Sequence, residues 1–504
     1  MDVKKVIKKP RTSNFKIRLT SFENGLNLRK NENLTPLNTA VNLYNFDHTS
    51  GALTEGLGMS DLVDVLYGAK ASATKTNLES KSVINAYYSK KCDLETLTNK
   101  DKLALLFNDL TMAYIPLNES EVVNQNMLKP LNDFVFTSVP QSVNYRLNSE
   151  DVTIFTSLTD NMTVWPTTSG VYKVLDAPKI ASSCIHYERM FATIDGEQTS
   201  VWFSDDLDPT NWSISLNDAG FIDMPDERGP SKKVLSFNDY VYVFRDYGIA
   251  KISAYSDQTT FNVSQLFVSS GKILPNTVVL CGDIIMFMAT DGLYKFDGIN
   301  CNKILENINP GFINKDNTNA TAVFFENKYY LACNFAFKDS LQGESGAVNN
   351  CLIEVDLNTM RVNFLRGVDI KSLSAVNSSF FRGVIACAKK YGESKFKLGV
   401  VNHSGKIFGS ATTKLWESPL TDLGYNQYSK TLREIILFSA SDISFIVENE
   451  LGQLKSFNIN GSNRPTKILM QFNFSKLKIK IVSNQATCKI LCPYCVIKFG
   501  EVIA

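Results

Sequence analysis

Residues Lys233–Ala254, KVLSFNDYVYVFRDYGIAKISA, decide the fold. Three apolar runs, Lys233–Phe237, Tyr240–Arg245 and Ile249–Ala254, are separated by Asn238-Asp239 and Asp246-Tyr247-Gly248. Asn, Asp and Gly tolerate the positive φ that tight hairpins demand, so the stretch reads as an antiparallel meander. The design returns at Val278–Cys281, Ile284–Ala289 and Leu293–Phe296, with Gly282-Asp283 and Asp291-Gly292 between them.

Working outward, comparable units come before and after. Leu103–Phe107 and Leu110–Ile115 form one. Phe134–Thr137, Val152–Thr156 and Met162–Trp165 form a second, and Lys179–His186, Arg189–Ile194 and Ser200–Ser204 a third. Later come Thr321–Phe325, Lys328–Cys333, Cys351–Asp356 and Met360–Leu365, then Gly383–Ala388, Phe396–Val401 and Lys406–Gly409. Units recur about every 45–50 residues, the interval of a propeller blade. Each leaves one face uncovered, which radial stacking buries. The expectation is an all-β chain: a β-propeller of about six or seven blades over residues 61–424. Helical patterning is confined to Asp61–Tyr67 and Glu119–Leu128.

Beyond a polar link at Thr421–Tyr428, cleaner alternation marks Glu434–Phe438, Asp442–Glu448, Leu454–Asn460, Lys467–Phe474 and Lys476–Val482. These strands predict a small C-terminal β-sandwich over residues 425–504. Lys476, Lys478 and Lys480 fall on one side of their strand, which reads as a solvated face. Residues 1–60 read as an extended N-terminal arm. Its first part, Met1–Arg11, holds Lys4, Lys5, Lys8, Lys9 and Arg11 against one acid, Asp2. A solvated terminus is the plain reading; contact with phosphates or with an acidic face of a neighbour is the sharper one.

Composition excludes several classes. Of 504 residues, 44% are hydrophobic and 20% charged, as in a folded chain with more than one core. The 32 phenylalanines and 19 tyrosines favour pleated surfaces. A net charge of +1 gives no global field to recruit nucleic acid. Met1–Arg11 lacks the apolar core of a secretory leader, and no apolar run is long enough to span a bilayer, so membrane insertion is not expected.

Catalytic patterns are thin. His48, His186 and His403 stand in separate segments, and no Walker or dinucleotide glycine loop occurs. Seven of the ten cysteines are scattered and read as small buried hydrophobes. Cys488, Cys492 and Cys495 include a CPYC string, yet too little chain follows to build a redox fold, and no fourth zinc ligand stands nearby. No enzyme activity, cofactor or metal is expected.

The stretch Val201–Gly229, VWFSDDLDPTNWSISLNDAGFIDMPDERG, reads as a strand, a pinned corner and an aromatic anchor. Asp208-Pro209 sets a tight turn, since proline presets φ and the aspartate can accept from the next amides. Trp202 and Trp212 flank it. FSDDLDPTNW with the MPDERG loop resembles bacteriophage tail and head–tail connector proteins with a β-propeller body, the DNA-stabilisation or tail-hub group. A second segment, Asn14–Met59, is similar to the opening of that family at Phe22, Gly25, Leu26, Asn27, Asn45, Gly51 and Leu53. The resemblance implies a virion structural protein, assembled in the host cytoplasm. It would form a homo-oligomeric ring, meet portal, adaptor or tail proteins, and help retain packaged DNA. Two other readings stand beside it. One is a tail-tip receptor or glycan binder using exposed Trp165, Trp202, Trp212 or Trp416. The other is a propeller glycosidase: Ser204, Asp206 and Trp212 echo a sialidase Asp-box, although its glycine is missing, its spacing is longer and no second copy occurs.

Overall fold

The computed structural model describes residues 15–502 except 19–20, 30–34, 94, 124, 198, 215–217, 225–226 and 256–257. Seven sheets follow one another along the chain, and six of them are four-stranded antiparallel meanders in sequence order. They span residues 83–130, 141–174, 180–223, 231–268, 279–304 and 321–366, here blades 1 to 6. Blade 7 takes three strands, Val368–Asn377, Arg382–Lys390 and Lys397–Asn402, from the end of the series. Its fourth strand is Gly58–Asp61, which pairs antiparallel with Lys397–Asn402. The first and last strands of the propeller segment thus meet in one blade and lock the circle. The chain is an all-β, seven-bladed propeller.

The tight turns are those the sequence specifies. Asn238 and Asp239 hold φ of 44° and 62°, and Gly282 holds 71°. Second strands such as Ile284–Ala289 are buried at every position, because neighbouring blades cover both faces. Inner strands are tied sideways by small polar groups. Ser372 and Ser374 donate across the closure to the Ile84 and Ala86 carbonyls at 2.9 and 2.5 Å. Gly399 is needed at the lock: a Cβ there would lie 2.3 Å from Met59 Cγ.

Two further sheets pack face to face beyond the propeller. One runs Phe15–Arg18, Tyr494–Val502, Tyr428–Leu437, Thr466–Phe474; the other runs Asn42–Tyr44, Lys414–Glu417, Leu477–Ser483, Ile443–Asn449, Leu454–Ile459. Strict alternation in Ile443–Asn449 and Leu477–Ser483 turns Phe445, Val447, Ile479 and Ile481 inward. Lys478, on the other face, pairs with Glu417 at 3.3 Å and Glu448 at 3.6 Å.

Several expectations change. Residues 15–60 are not a separate arm, since they supply strands to both sandwich sheets and to blade 7. The sandwich also draws Lys414–Glu417 from before the expected boundary at 425. Phe134–Thr137 is a loop whose Phe134 and Phe136 fill the space between blades 1 and 2, and Gln141–Leu147 is the inner strand instead. Glu119–Leu128 keeps only a short turn, Glu119–Glu121, whereas Leu62–Tyr67 is helical, with Asp61 as its N-cap. A helix at Ser72–Glu79 carries no strong apolar periodicity and escapes sequence reading. Met1–Arg11 lies outside the described residues.

Candidate functional site

The Val201–Gly229 stretch builds a joint. Ser200–Phe203 is the third strand of blade 3. Its exit is closed by a bridge between Asp205 and Asp208. The Asp208 carboxylate accepts from the Thr210 amide at 2.9 Å and hydroxyl at 2.6 Å, the turn expected of Asp-Pro. Pro209 is buried. Its carbonyl accepts from the Trp212 indole at 3.1 Å, which sends the Trp212 ring between blades 2 and 3, among Leu147, Ile154, Ile180 and Met190. Trp202 stacks on Phe221 and donates to Glu197 at 2.8 Å. Asp208→Ala removes two short bonds to Thr210 and should cost about 1 kcal/mol, read as a lower midpoint in urea unfolding.

The second family-like segment builds the other joint. Phe22 is fully buried and meets Trp416 edge to face at 4.9 Å. Gly25 holds φ +59°, and a Cβ on it would sit 2.7 Å from the His48 ring. Asn45, at φ 62°, donates to the Arg366 and Thr413 carbonyls and accepts from the Arg366 amide at 2.7 Å. One side chain thereby links the N-terminal segment, blade 6 and the strand entering the sandwich. The Leu28 amide donates to the Asn307 carbonyl at 2.8 Å, and Arg361 donates to the Thr49 carbonyl.

Arg366 is the centre of this clasp. Its side chain is wholly buried; it donates to Glu344 at 2.6 and 3.0 Å and to Asp339 at 2.8 Å. Burial alone would lower the guanidinium pKa, but the charges and bonds of Glu344 and Asp339 outweigh it and hold it above its ordinary value. Asp339 also accepts from Asn42 and Tyr44, both at 2.8 Å. An open groove of about 710 Å³ lies over the same loop, lined by Lys315, Asp316 and Gly343 among others. Its carboxylates Asp339 and Glu344 are already engaged by Arg366.

Three buried lysines do comparable work, and composition gave no sign of them. Lys91 donates to the Trp165 and Pro166 carbonyls at 2.8 and 2.6 Å and lies 3.9 Å from the Trp165 ring, tying blade 1 to blade 2. Burial pushes its pKa down to about 6. Lys414 and Lys430 are each capped by three backbone carbonyls at the sandwich.

The three histidines stand in separate surroundings: His48 beside Gly25, His186 on Ser236 and His403 on Glu354. His403 bridges blades 6 and 7 through Glu354 at 3.1 Å, and Lys328 reaches the same carboxylate at 2.9 Å. Burial would raise Glu354, but those two partners bring it down to about 2. His48 is buried and its pKa is lowered by that burial to about 4. A His48 that stays neutral in the fold takes up a proton on unfolding once pH drops below 6.5. Stability is therefore full above 6.5 and falls by up to about 1.4 kcal/mol per pH unit down to pH 4. Thermal melts between pH 7 and 4 should show this decline, and His48→Gln should flatten it.

All ten cysteines are free, and no metal-ligating group of side chains occurs among the described residues. Cys492 is half-buried against the Gly51 carbonyl, and burial raises its thiol to about 11, unlike an activated thiolate. Trp165, Trp212 and Trp416 are buried, so they are not the exposed platform that a glycan binder would use; Trp202 is half-buried. No helix among the described residues is long and apolar enough to cross a membrane.

No family model matches the chain, and no curated protein matches it. Solved structures similar to it include BBS1N in complex with ARL6DN, at TM-score 0.40 and 8% identity, covering 64% of this chain and 93% of that one. Kluyveromyces lactis Hsv2p aligns at TM-score 0.30 and 11% identity, covering 64% of this chain and 98% of its own. These likenesses are too distant to carry function, and the propeller is established by its own sheets.

Proposed function

We propose that the chain is a non-enzymatic structural protein of a bacteriophage tail or head–tail connector. It assembles with copies of itself into a ring and joins portal, adaptor or tail proteins around packaged DNA. One observation carries this reading: both stretches that resemble the phage family are spent on joints. Trp212 wedges two blades together, and the Phe22–Leu53 segment fastens the sandwich to blade 6 before Gly58–Asp61 locks blade 7. The role is that of a stiff block whose surface is available to neighbours. Mass spectrometry and immunogold labelling of purified particles test it. The chain should appear at one axial position of the tail or its junction with the head; absence from particles overturns the proposal.

A further inference from the structure

One face of the propeller, at blades 3 and 4, carries bulky apolar side chains with no covering. Tyr187 is 51% exposed, Leu207 61% and Tyr255 68%. They are contiguous: the Leu207 amide donates to the Glu188 carbonyl at 3.0 Å, and the Tyr187 and Tyr255 rings meet edge to face at 5.5 Å. Tyr187 and Leu207 hold positive φ, 50° and 58°, at turns where Asn or Gly would fit without strain. A cluster of this kind marks a contact surface.

The surrounding charge says what the surface meets. Glu188, Asp206 and Asp239 are exposed around the ring pair, and Tyr187 donates to Asp239 at 3.1 Å. None of the three makes an ion pair among the described residues. Arg189, next to Glu188 in the chain, turns inward to the Ser204 and Asp218 carbonyls. Tyrosine faces beside unpaired carboxylates suit lysine and arginine side chains, which gain both cation–π attraction and Coulomb energy there.

We infer that this face receives the basic segment Met1–Arg11 of a second copy of the chain. In MDVKKVIKKPR, pairs of lysines alternate with Val3, Val6 and Ile7, matching a surface that alternates carboxylates with apolar rings. The segment leads into Phe15–Arg18 in the sandwich, which is fastened to blade 6 and to the loop from blade 5, whereas the face lies on blades 3 and 4. The fourteen residues before Phe15 can span at most about 50 Å. A contact between two different patches is heterologous and closes into a ring when its rotation fits. The inference rests on the assembly reading and names its interface.

Charge exchange in the full-length protein tests it. One variant carries Lys4→Glu, Lys5→Glu, Lys8→Glu and Lys9→Glu; the other carries Glu188→Lys, Asp206→Lys and Asp239→Lys. Circular dichroism and melting should match the natural chain, since the altered face is exposed. Sedimentation at low salt should show self-association weakened at least tenfold in each variant and restored in their equimolar mixture. Tyr187→Ser with Tyr255→Ser should also weaken it. Variants that assemble like the natural chain overturn the inference and leave the assembly reading intact, with the ring built elsewhere. It is also overturned if the mixture fails to recover, if the natural chain stays monomeric, or if only the lysine variant changes and loses DNA binding.

Discussion

Replacing the buried Arg366 with methionine should lower unfolding stability by about 3 kcal/mol, the low end for breaking a buried ion pair, because the two carboxylates it leaves behind are only partly buried. Arg366 is fully enclosed and satisfies both Glu344 and Asp339, so its loss strands two acids at once. Lysine should recover only part of the deficit, because a single ammonium cannot reproduce the fork that grips both oxygens of Glu344. Neutralising the acids as well, with Asp339→Asn and Glu344→Gln in the methionine background, should restore more stability than Arg366→Lys does. Urea unfolding of the four proteins measures this. A methionine variant as stable as the natural chain would show that the clasp is not held by this charge pair. Limited proteolysis should place the first cut of Arg366→Met in the 338–350 loop, which Arg366 holds down.

Trp416→Ala should cost about 3–5 kcal/mol for a different reason: an emptied aromatic site in a packed core. The ring is 0% exposed, faces Phe22, and sits where the sandwich core continues into blades 5 and 6. Its indole N–H meets no acceptor among the described residues. Trp416→Phe therefore gives up volume without losing a hydrogen bond and should cost clearly less than alanine. Comparing the two variants by denaturant unfolding separates packing from polar effects; equal losses would contradict the account. The alanine variant should also free the N-terminal segment, seen as faster amide exchange at Phe22 and Leu43.

Much of the propeller was legible because its signals are local. Asn238-Asp239 occupy the positive-φ positions that their residue types suggested, and the intervening strands alternate or run apolar as pleated sheets require. Asp208-Pro209 likewise makes the corner its chemistry dictates. The closing strand was not legible. Gly58–Asp61 is four residues long with no alternation, and its partner lies more than three hundred residues away, at Lys397–Asn402. The sandwich boundary failed for the same reason. Asn42–Tyr44 and Lys414–Glu417 are too short to announce themselves and become strands only beside Leu477–Ser483.

The sequence by itself determined the all-β class, the repeating four-stranded unit and the turn chemistry, since these follow from residue preferences acting over a few neighbours. Tertiary structure alone decided that there are seven blades, that Gly58–Asp61 locks the circle, and that Arg366 binds acids from a distant loop. It also decided which tryptophans are buried and which tyrosines stand beside unpaired acids. Those outcomes depend on which distant segments share a surface, and a contact between residues 45 and 366 leaves no mark on the chain around either one.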